Sequence, residues 1–233
     1  MSDPMSALID VHDVHRVYKQ GAVEVRALRG VSTEIGAGEF TVLAGPSGSG
    51  KTTLLNLIGV LDSATSGRIV VDGTDVTALS RSGGSTFRLH NLGFVFQAYN
   101  LIPVLSAYEN AEFGLVLQGV HAAEREKRVM PLLDRVGLAD QRDRKPHELS
   151  GGQQQRIAVV RALATHPKIV LADEPTANLD TKTSIALLDL MSELNNEHDV
   201  TFLFASHDDN VIGRAKRVIR LDSGEIIGDE RHA

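Results

Sequence analysis

The stretch "FTVLAGPSGSGKTTLLNLIGVL", Phe40 to Leu61, changes character twice. It opens as a short apolar run ending in glycine, the pattern of a buried central strand. It closes as "KTTLLNLIGVL", which reads as a helix. Between them, "GPSGSGKT" from Gly45 to Thr52 fills every position of G-x-x-x-x-G-K-[ST]. Strand, glycine loop and helix in that order make a phosphate cradle. Glycines let backbone N–H groups curl around phosphate oxygens, and the helix N-terminus adds a positive field. Gly45, Pro46, Ser47, Gly48, Ser49 and Gly50 supply the loop, and Thr53 joins the first helical turn. Lys51 is placed to reach the β- and γ-phosphates, and the Thr52 hydroxyl to ligate Mg²⁺.

A second segment fits this loop. "KIVLADEP", Lys168 to Pro175, is an apolar strand ending in two carboxylates. Beside a phosphate loop, Asp173 is expected to hold Mg²⁺ through water, and Glu174 to orient or deprotonate an attacking water.

The remaining chain alternates in the same manner. "ALIDVHDVHRVY" and "VRALRGVSTEI" alternate like half-buried antiparallel strands, and "GRIVVDG" and "LGFVF" also read as strands. From Ser106 to Arg135 the pattern turns helical, with Pro131 expected to break or kink the second helix. "GGQQQRIAVVRALATH" reads as a helix opened by glycines, and "TKTSIALLDLMSELNNEH" as an amphipathic helix. "VTFLFAS" and "RVIRLDSGEII" close the chain as strands. Strands alternating with helices predict an α/β fold with a mainly parallel sheet. The expected division is a single domain over 1–233, with 1–97 and 151–233 as catalytic core and about 98–150 as a helical subdomain.

The chain has 233 residues, enough for one medium domain with its own core, and no cysteine, which excludes disulfides and cysteine-held zinc. A formal charge of −6 weighs against nucleic-acid binding, and no nucleic acid is expected as partner. No apolar run is long enough to span a membrane, and the N-terminus lacks a cationic start and apolar core, so a cytoplasmic location is expected. Work at a membrane would then require another chain to hold this one there.

Together these residues resemble the ATP-binding cassette ATPases, and the resemblance covers nearly the whole chain. It rests on the glycine loop, the "LADEP" strand, "LSGGQ" at Leu149 to Gln153, Gln97 of "FVFQ", "NLD" at Asn178 to Asp180 and "SHD" with His207, in family order and spacing. The resemblance implies a P-loop NTPase with an N-terminal antiparallel β-subdomain and a helical signature subdomain. It also implies a homodimer joined head to tail around two ATPs. Ser150, Gly151, Gly152 and Gln153 then act on the ATP of the partner subunit, although Ser150 reads equally as an ordinary helix N-cap. Tyr18 is implied to stack on adenine, Gln97 to sense Mg²⁺ and the attacking water, His207 to contact the γ-phosphate, and Asp180 to help join the halves. Thr52 and Ser206 stand where serine and threonine are more usual; neither departure is expected to touch the chemistry.

The wording of "LNLIGVLDSATSGRIVVDG" and "LGFVFQAYNLIPVLSAYENAEFGLVLQGV" is most similar to the bacterial lipoprotein-release and macrolide-export branch. That implies an ATPase subunit driving a separate integral membrane permease. Two alternatives stay open: a soluble ATPase that remodels nucleic acid or ribosomes, and the energising subunit of an importer. In the family the Ala98–Leu115 region forms a groove for a short cytoplasmic helix of the permease, so Leu101, Ile102, Val104 and Leu105 read either as exposed for that contact or, equally for any one of them, as internal packing of the helical subdomain.

Overall fold

The computed structural model describes residues 7–21 and 23–232; residues 1–6, on which part of the leader reading rests, lie outside them. In chain order the elements are β1 (Ile9–Gln20), β2 (Val23–Ile35), β3 (Phe40–Ala44), α1 (Lys51–Ile58), β4 (Ser66–Val71), β5 (Thr74–Asp75), α2 (Arg81–Asn91), β6 (Leu92–Phe96), α3 (Ala107–Leu117) and α4 (Ala122–Arg135). They continue with α5 (Gly151–Ala164), β7 (Ile169–Asp173), α6 (Thr181–His198), β8 (Thr201–Ser206), α7 (Asp209–Ile212), β9 (Arg217–Asp222) and β10 (Glu225–Arg231).

Six strands form the central sheet in the order β10-β9-β3-β8-β7-β6. All pairings are parallel except β10 on β9. Every residue of β3 is buried, because the sheet is covered on both faces. Alternate residues serve two cores. Phe40, Val42, Phe202, Phe204 and Val170 pack with α3, α4, α5 and α6. Leu43, Leu171, Leu203 and Ile219 face the other way, onto α1 and the smaller antiparallel sheet β2-β1-β4-β5. The fold is thus α/β, with a mainly parallel core sheet and an antiparallel β-subdomain at the N-terminal end. No helix among the described residues is long and apolar enough to cross a membrane.

Several local readings change. "RVIRLDSGEII" is two strands, not a continuous one. Ser223 (φ 49°) and Gly224 (φ 85°) make a tight turn between β9 and β10, and positive φ at both positions is the geometry that matches strand twist. Pro131 does not break α4, which runs from Ala122 to Arg135. Val129, Leu132 and Leu133 pin both halves to the core, and the carbonyl that loses its donor belongs to exposed Lys127. α2 has no counterpart in the hydrophobic pattern. "RSGGSTFRLHN" buries only Gly84 and Phe87, and Ser80 caps it by accepting from the Gly83 N–H. α5 packs on α3 and α4 on one side and on β6 on the other, so the signature helix bridges the helical region and the sheet.

Arg217 ties the edge hairpin to the sheet. Its guanidinium is nearly buried and donates to Asp229 at 2.7 and 2.8 Å, to Glu39 at 3.1 Å and to the Glu34 carbonyl at 2.6 Å. The guanidinium holds the Asp229 carboxyl below the usual carboxylate range. Arg217→Met should cost about 2–4 kcal/mol at neutral pH, somewhat less than a fully buried pair because Asp229 is partly in water. A depressed folded-state pKa gives stability that is complete above the unfolded value near 4 and lost as pH falls through the folded value. Urea melts of wild type and variant should therefore differ most at neutral pH and draw together as pH falls below the unfolded carboxylate value. A gap that stays constant with pH would show that the ion pair is not its source.

Candidate active site

The glycine loop is held by contact on both sides. A Cβ at Gly45 (φ 152°) would lie 2.1 Å from the Leu221 carbonyl oxygen, and one at Gly50 (φ 106°) 2.7 Å from that of Ala27. Gly48 (φ 80°) has no neighbour within 4 Å of such an atom, so the crest of the loop is open. α1 begins immediately after Gly50 with no side-chain cap and no acidic residue in its first turn. The N–H groups of Lys51, Thr52 and Thr53 are the first-turn donors that an α-helix cannot satisfy internally. Lys51 is only 5% exposed, and its ammonium donates to the carbonyls of Gly45 and Pro46 at 2.8 and 2.9 Å. The Ser49 hydroxyl oxygen is buried without a partner. Free donors, a positive helix end and a cation held only by carbonyls fit a polyphosphate.

The C-terminal ends of β7 and β8 bring the other groups to this loop. The Thr52 hydroxyl donates to Asp173 at 2.9 Å. Burial pushes the Asp173 carboxyl above its ordinary value and Glu174 adds to this, while Thr52 and Lys51 oppose it. The Thr52 and Asp173 oxygens are the hard donors that Mg²⁺ prefers.

Glu174 sits in the left-handed region (φ 45°), unusual for a residue with a side chain. Its N–H donates to the Ala205 carbonyl at 2.9 Å, which fixes the turn. Its carboxylate accepts from the Ser206 hydroxyl at 3.0 Å, and its other oxygen lies 2.7 Å from His207 Nδ1. His207 itself is largely exposed. Ser206 reads from sequence only as standing in for a more usual threonine, and the hydroxyl that both residues carry is what grips this carboxylate; its signal in the sequence is only a hydroxyl preceding "HD". A second residue missed from sequence is Gln155. It is fully buried on α5, and its amide donates to the carbonyls of Pro175 at 2.8 Å and Phe96 at 3.4 Å. It thus joins the turn after Glu174 to the strand end before Gln97.

The other expected residues lie on separate elements. Gln97 is exposed in the turn after β6, where its carbonyl accepts from the Asn178 side chain at 2.8 Å. Tyr18 is half-buried on β1; its hydroxyl donates to Asp62 at 2.7 Å, and the Arg16 guanidinium covers its ring at 4.4 Å. Asp180 caps α6, accepting from the Thr183 N–H and hydroxyl, and these bonds hold its carboxyl low. Ser150 is exposed and caps α5 in a reciprocal pair with Gln153. Among the described residues neither bonds to the 45–53 loop.

Leu101 packs inward against the core, and Asn110 bonds to the backbone of Ile102 and Leu105, both half-buried; Val104 alone is well exposed, at 73%. Of the two readings left open for these residues, exposure holds for Val104 and partial burial for the other three. The polar Asn110 side chain folds the segment onto α3 and draws its neighbours inward.

Comparison with known proteins follows the same lines. Residues 28–177 match the family model described as ABC transporter. The chain is 44% identical to the lipoprotein-releasing system ATP-binding protein LolD 1 of Rhodopseudomonas palustris, over 96% of this chain and all of that protein. It is 46% identical to the macrolide export ATP-binding/permease protein MacB of Hyphomonas neptunium, over 95% of this chain but 34% of that longer protein. The ATP-binding cassette MJ0796, solved as a dimer in a post-hydrolysis state with ADP and Pi, superposes with a TM-score of 0.88 at 40% identity, covering 96% of this chain and 98% of that one.

The two glycines that open α5 have a packing role within the chain. A Cβ at Gly151 would lie 2.7 Å from the Tyr99 hydroxyl, and one at Gly152 2.5 Å from Thr183 Cγ2. Gly152→Ala should therefore destabilise the chain by about 1–3 kcal/mol through overpacking. Thr183→Ser removes the offending methyl and keeps the hydroxyl that bonds Asp180, so the double variant should recover most of the loss. Denaturant melts of the four proteins without nucleotide measure this, and a double variant no better than Gly152→Ala would discount the Thr183 contact.

Proposed function

The chain belongs to the ABC transporter ATP-binding proteins, and on that premise we propose that it works as one half of a head-to-tail dimer that hydrolyses two ATPs and powers a separate membrane permease. The proposed cargo class is lipoprotein, lipid or drug moving outward, and the proposed place is the inner face of the membrane, held there by the permease. The observation that carries this reading is the cluster at the strand ends: Lys51 and Thr52 on the loop side, Asp173 on β7, and Glu174 gripped by Ser206 and His207.

In this reading the loop N–H groups and Lys51 bind the β- and γ-phosphates, exchanging the Gly45 and Pro46 carbonyls for stronger anionic acceptors. Thr52, Asp173 and Gln97 hold Mg²⁺, which when bound supplies charge neutralisation at the phosphate oxygens. Glu174 accepts a proton from the attacking water at the carboxylate that Ser206 and His207 orient. His207 bridges that carboxylate and the γ-phosphate in this reading. Tyr18 stacks on adenine in this reading. Ser150, Gly151, Gly152 and Gln153 present the α5 N-terminus to the γ-phosphate held by the partner subunit, and Asp180 lies at the same interface. The similarity to LolD and to the ATP-binding part of MacB supports export over the importer and nucleic-acid alternatives.

Glu174→Gln should bind ATP normally and lower steady-state turnover by about a hundredfold or more, since a positioned base contributes that much. ATP should then hold the dimer closed in size-exclusion runs. Near-normal turnover would remove Glu174 from the role of base.

The trans arrangement has its own test in the Glu174→Gln background. One subunit carries Lys51→Ala and the other Ser150→Arg. If each site is built from the loop of one chain and the signature of the other, both lesions fall on one site, and the mixed dimer should trap about one ATP. Either homodimer should trap little. A mixed dimer that traps as poorly as the homodimers would mean that the signature acts within its own chain.

A further inference from the structure

The strand segment that carries Tyr18 is stitched to the turn that follows α1. Asp62 lies in that turn. One of its carboxylate oxygens accepts from the Tyr18 hydroxyl at 2.7 Å. The other accepts from the Arg16 guanidinium at 2.7 Å and from the Ser63 N–H at 2.8 Å. The Arg16 and Asp62 side chains are only 21% and 25% exposed, so solvent screens this pair less than an open surface pair. The guanidinium that Asp62 holds lies over the Tyr18 ring, 4.4 Å from its centroid. Its Nε is buried without an acceptor. A guanidinium placed for hydrogen bonds alone would not leave that donor dry; this one is placed against the ring face. Two more bonds close the same seam. The Thr65 N–H donates to the His15 carbonyl at 2.8 Å, and the Val17 N–H to the Thr65 hydroxyl at 2.9 Å.

The turn is itself fastened to α1. The N–H groups of Leu61 and Asp62 both donate to the Asn56 carbonyl, at 2.9 and 3.3 Å. α1 begins at Lys51, on the glycine loop. One helix thus has the phosphate cradle at its start and, just beyond its end, the carboxylate that holds Tyr18. Tyr18 itself belongs to β1, in the smaller sheet. The hydroxyl bond holds the ring at its far end, and Arg16 holds it on one face.

We propose that Asp62 is a positioning residue for the base of the nucleotide: it sets the Tyr18 ring, through the hydroxyl and through Arg16, at a fixed place relative to the phosphate loop. The inference rests on the reading of Tyr18 as the adenine contact and adds what holds that ring. Arg16 covers one face, so a stacked base meets the opposite one. A nucleotide joins its phosphates to its base, and α1 with its closing turn joins the two protein groups that would grip them. Without Asp62 the ring is free to turn and Arg16 loses its acid. Binding must then order the ring, at the expense of affinity. That loss falls on the base alone, because Lys51 is held by the carbonyls of Gly45 and Pro46 and not by this turn.

The test compares ADP with pyrophosphate, its base-free counterpart, by calorimetry on the full chain with Mg²⁺ present. Turnover of ATP does not enter. Tyr18→Ala should weaken ADP binding about tenfold or more, the scale of one base stack, and leave pyrophosphate within about twofold. Asp62→Ala should weaken ADP about fivefold, and Tyr18→Phe, which keeps the ring without its hydroxyl, about threefold, again sparing pyrophosphate. Since Asp62 acts through the ring, Asp62→Ala should add nothing to the ADP loss in a Tyr18→Ala background. A loss on Asp62→Ala that is equal for both ligands, or that persists at full size without the ring, would overturn the proposal. So would unchanged ADP binding by Asp62→Ala or by Tyr18→Phe. If Tyr18→Ala itself spares ADP, the adenine reading fails and the proposal with it. A selective Tyr18→Ala beside a silent Asp62→Ala defeats the positioning role alone. Should Asp62→Ala fold poorly, its pyrophosphate binding reveals this, and Tyr18→Phe decides the matter.

Discussion

Residue 45 has 2.1 Å between the place of a Cβ and the carbonyl oxygen of Leu221, and residue 50 has 2.7 Å to that of Ala27. No side chain fits either gap. This close approach lets the backbone turn from β3 into α1 while wedged between the end of β9 and β2. The turn in turn aims the first N–H groups of α1 at open space and buries Lys51 against the loop carbonyls. Every other group of the site is placed relative to that turn. The central strands supply the rigidity: β3, β8 and β7 are hydrogen-bonded neighbours, so residues at their C-terminal ends keep a fixed spacing.

At that edge two kinds of stored cost coincide. Asp173 is drawn out of water, and burial raises its carboxyl against the pull of Thr52 and Lys51. Glu174 is turned into the left-handed region and kept there by a main-chain bond to Ala205. Neither arrangement favours the isolated chain, and both are consistent with groups held ready for a cation and a water. Sites that concentrate strain and perturbed carboxyls are often functional, which is why geometry and chemistry agree here.

A further layer of contacts links this edge to the helical side. Gln155 reaches from α5 to the carbonyls of Pro175 and Phe96, and Asn178 reaches to that of Gln97. Arg161, on the same helix, holds Tyr99 and Asn100. One helix therefore carries "LSGGQ" at its N-terminus, a buried amide bonded to the turn after Glu174 and a cation that holds the Tyr99–Asn100 turn. A small rotation of α5 cannot leave the other two unchanged, because protein interiors are close-packed and shift between discrete arrangements.

The sequence by itself determined the parts whose chemistry is local. A glycine loop with its lysine and threonine, an apolar strand ending in Asp173 and Glu174, and the Ser150 cap with Gln153 three residues on are all short-range patterns, and the structure carries each where the pattern places it. The α/β alternation was legible for the same reason, since strand and helix periods differ within a few residues. Tertiary structure alone decided the rest. α2 escaped notice because glycines and a single buried phenylalanine leave no period to read. Leu101 packs against the core while Asn110 bonds to the backbone of Ile102 and Leu105 beside it, contacts that only the folded chain supplies. Ser206 and His207 were in view as residues, but their grip on Glu174 spans some thirty positions of sequence. Gly151 and Gly152 looked like a binding motif and are also packing sites, because only the folded chain brings Tyr99 and Thr183 against them. Local spacing fixes which groups are present; close packing between distant segments fixes what each of them touches.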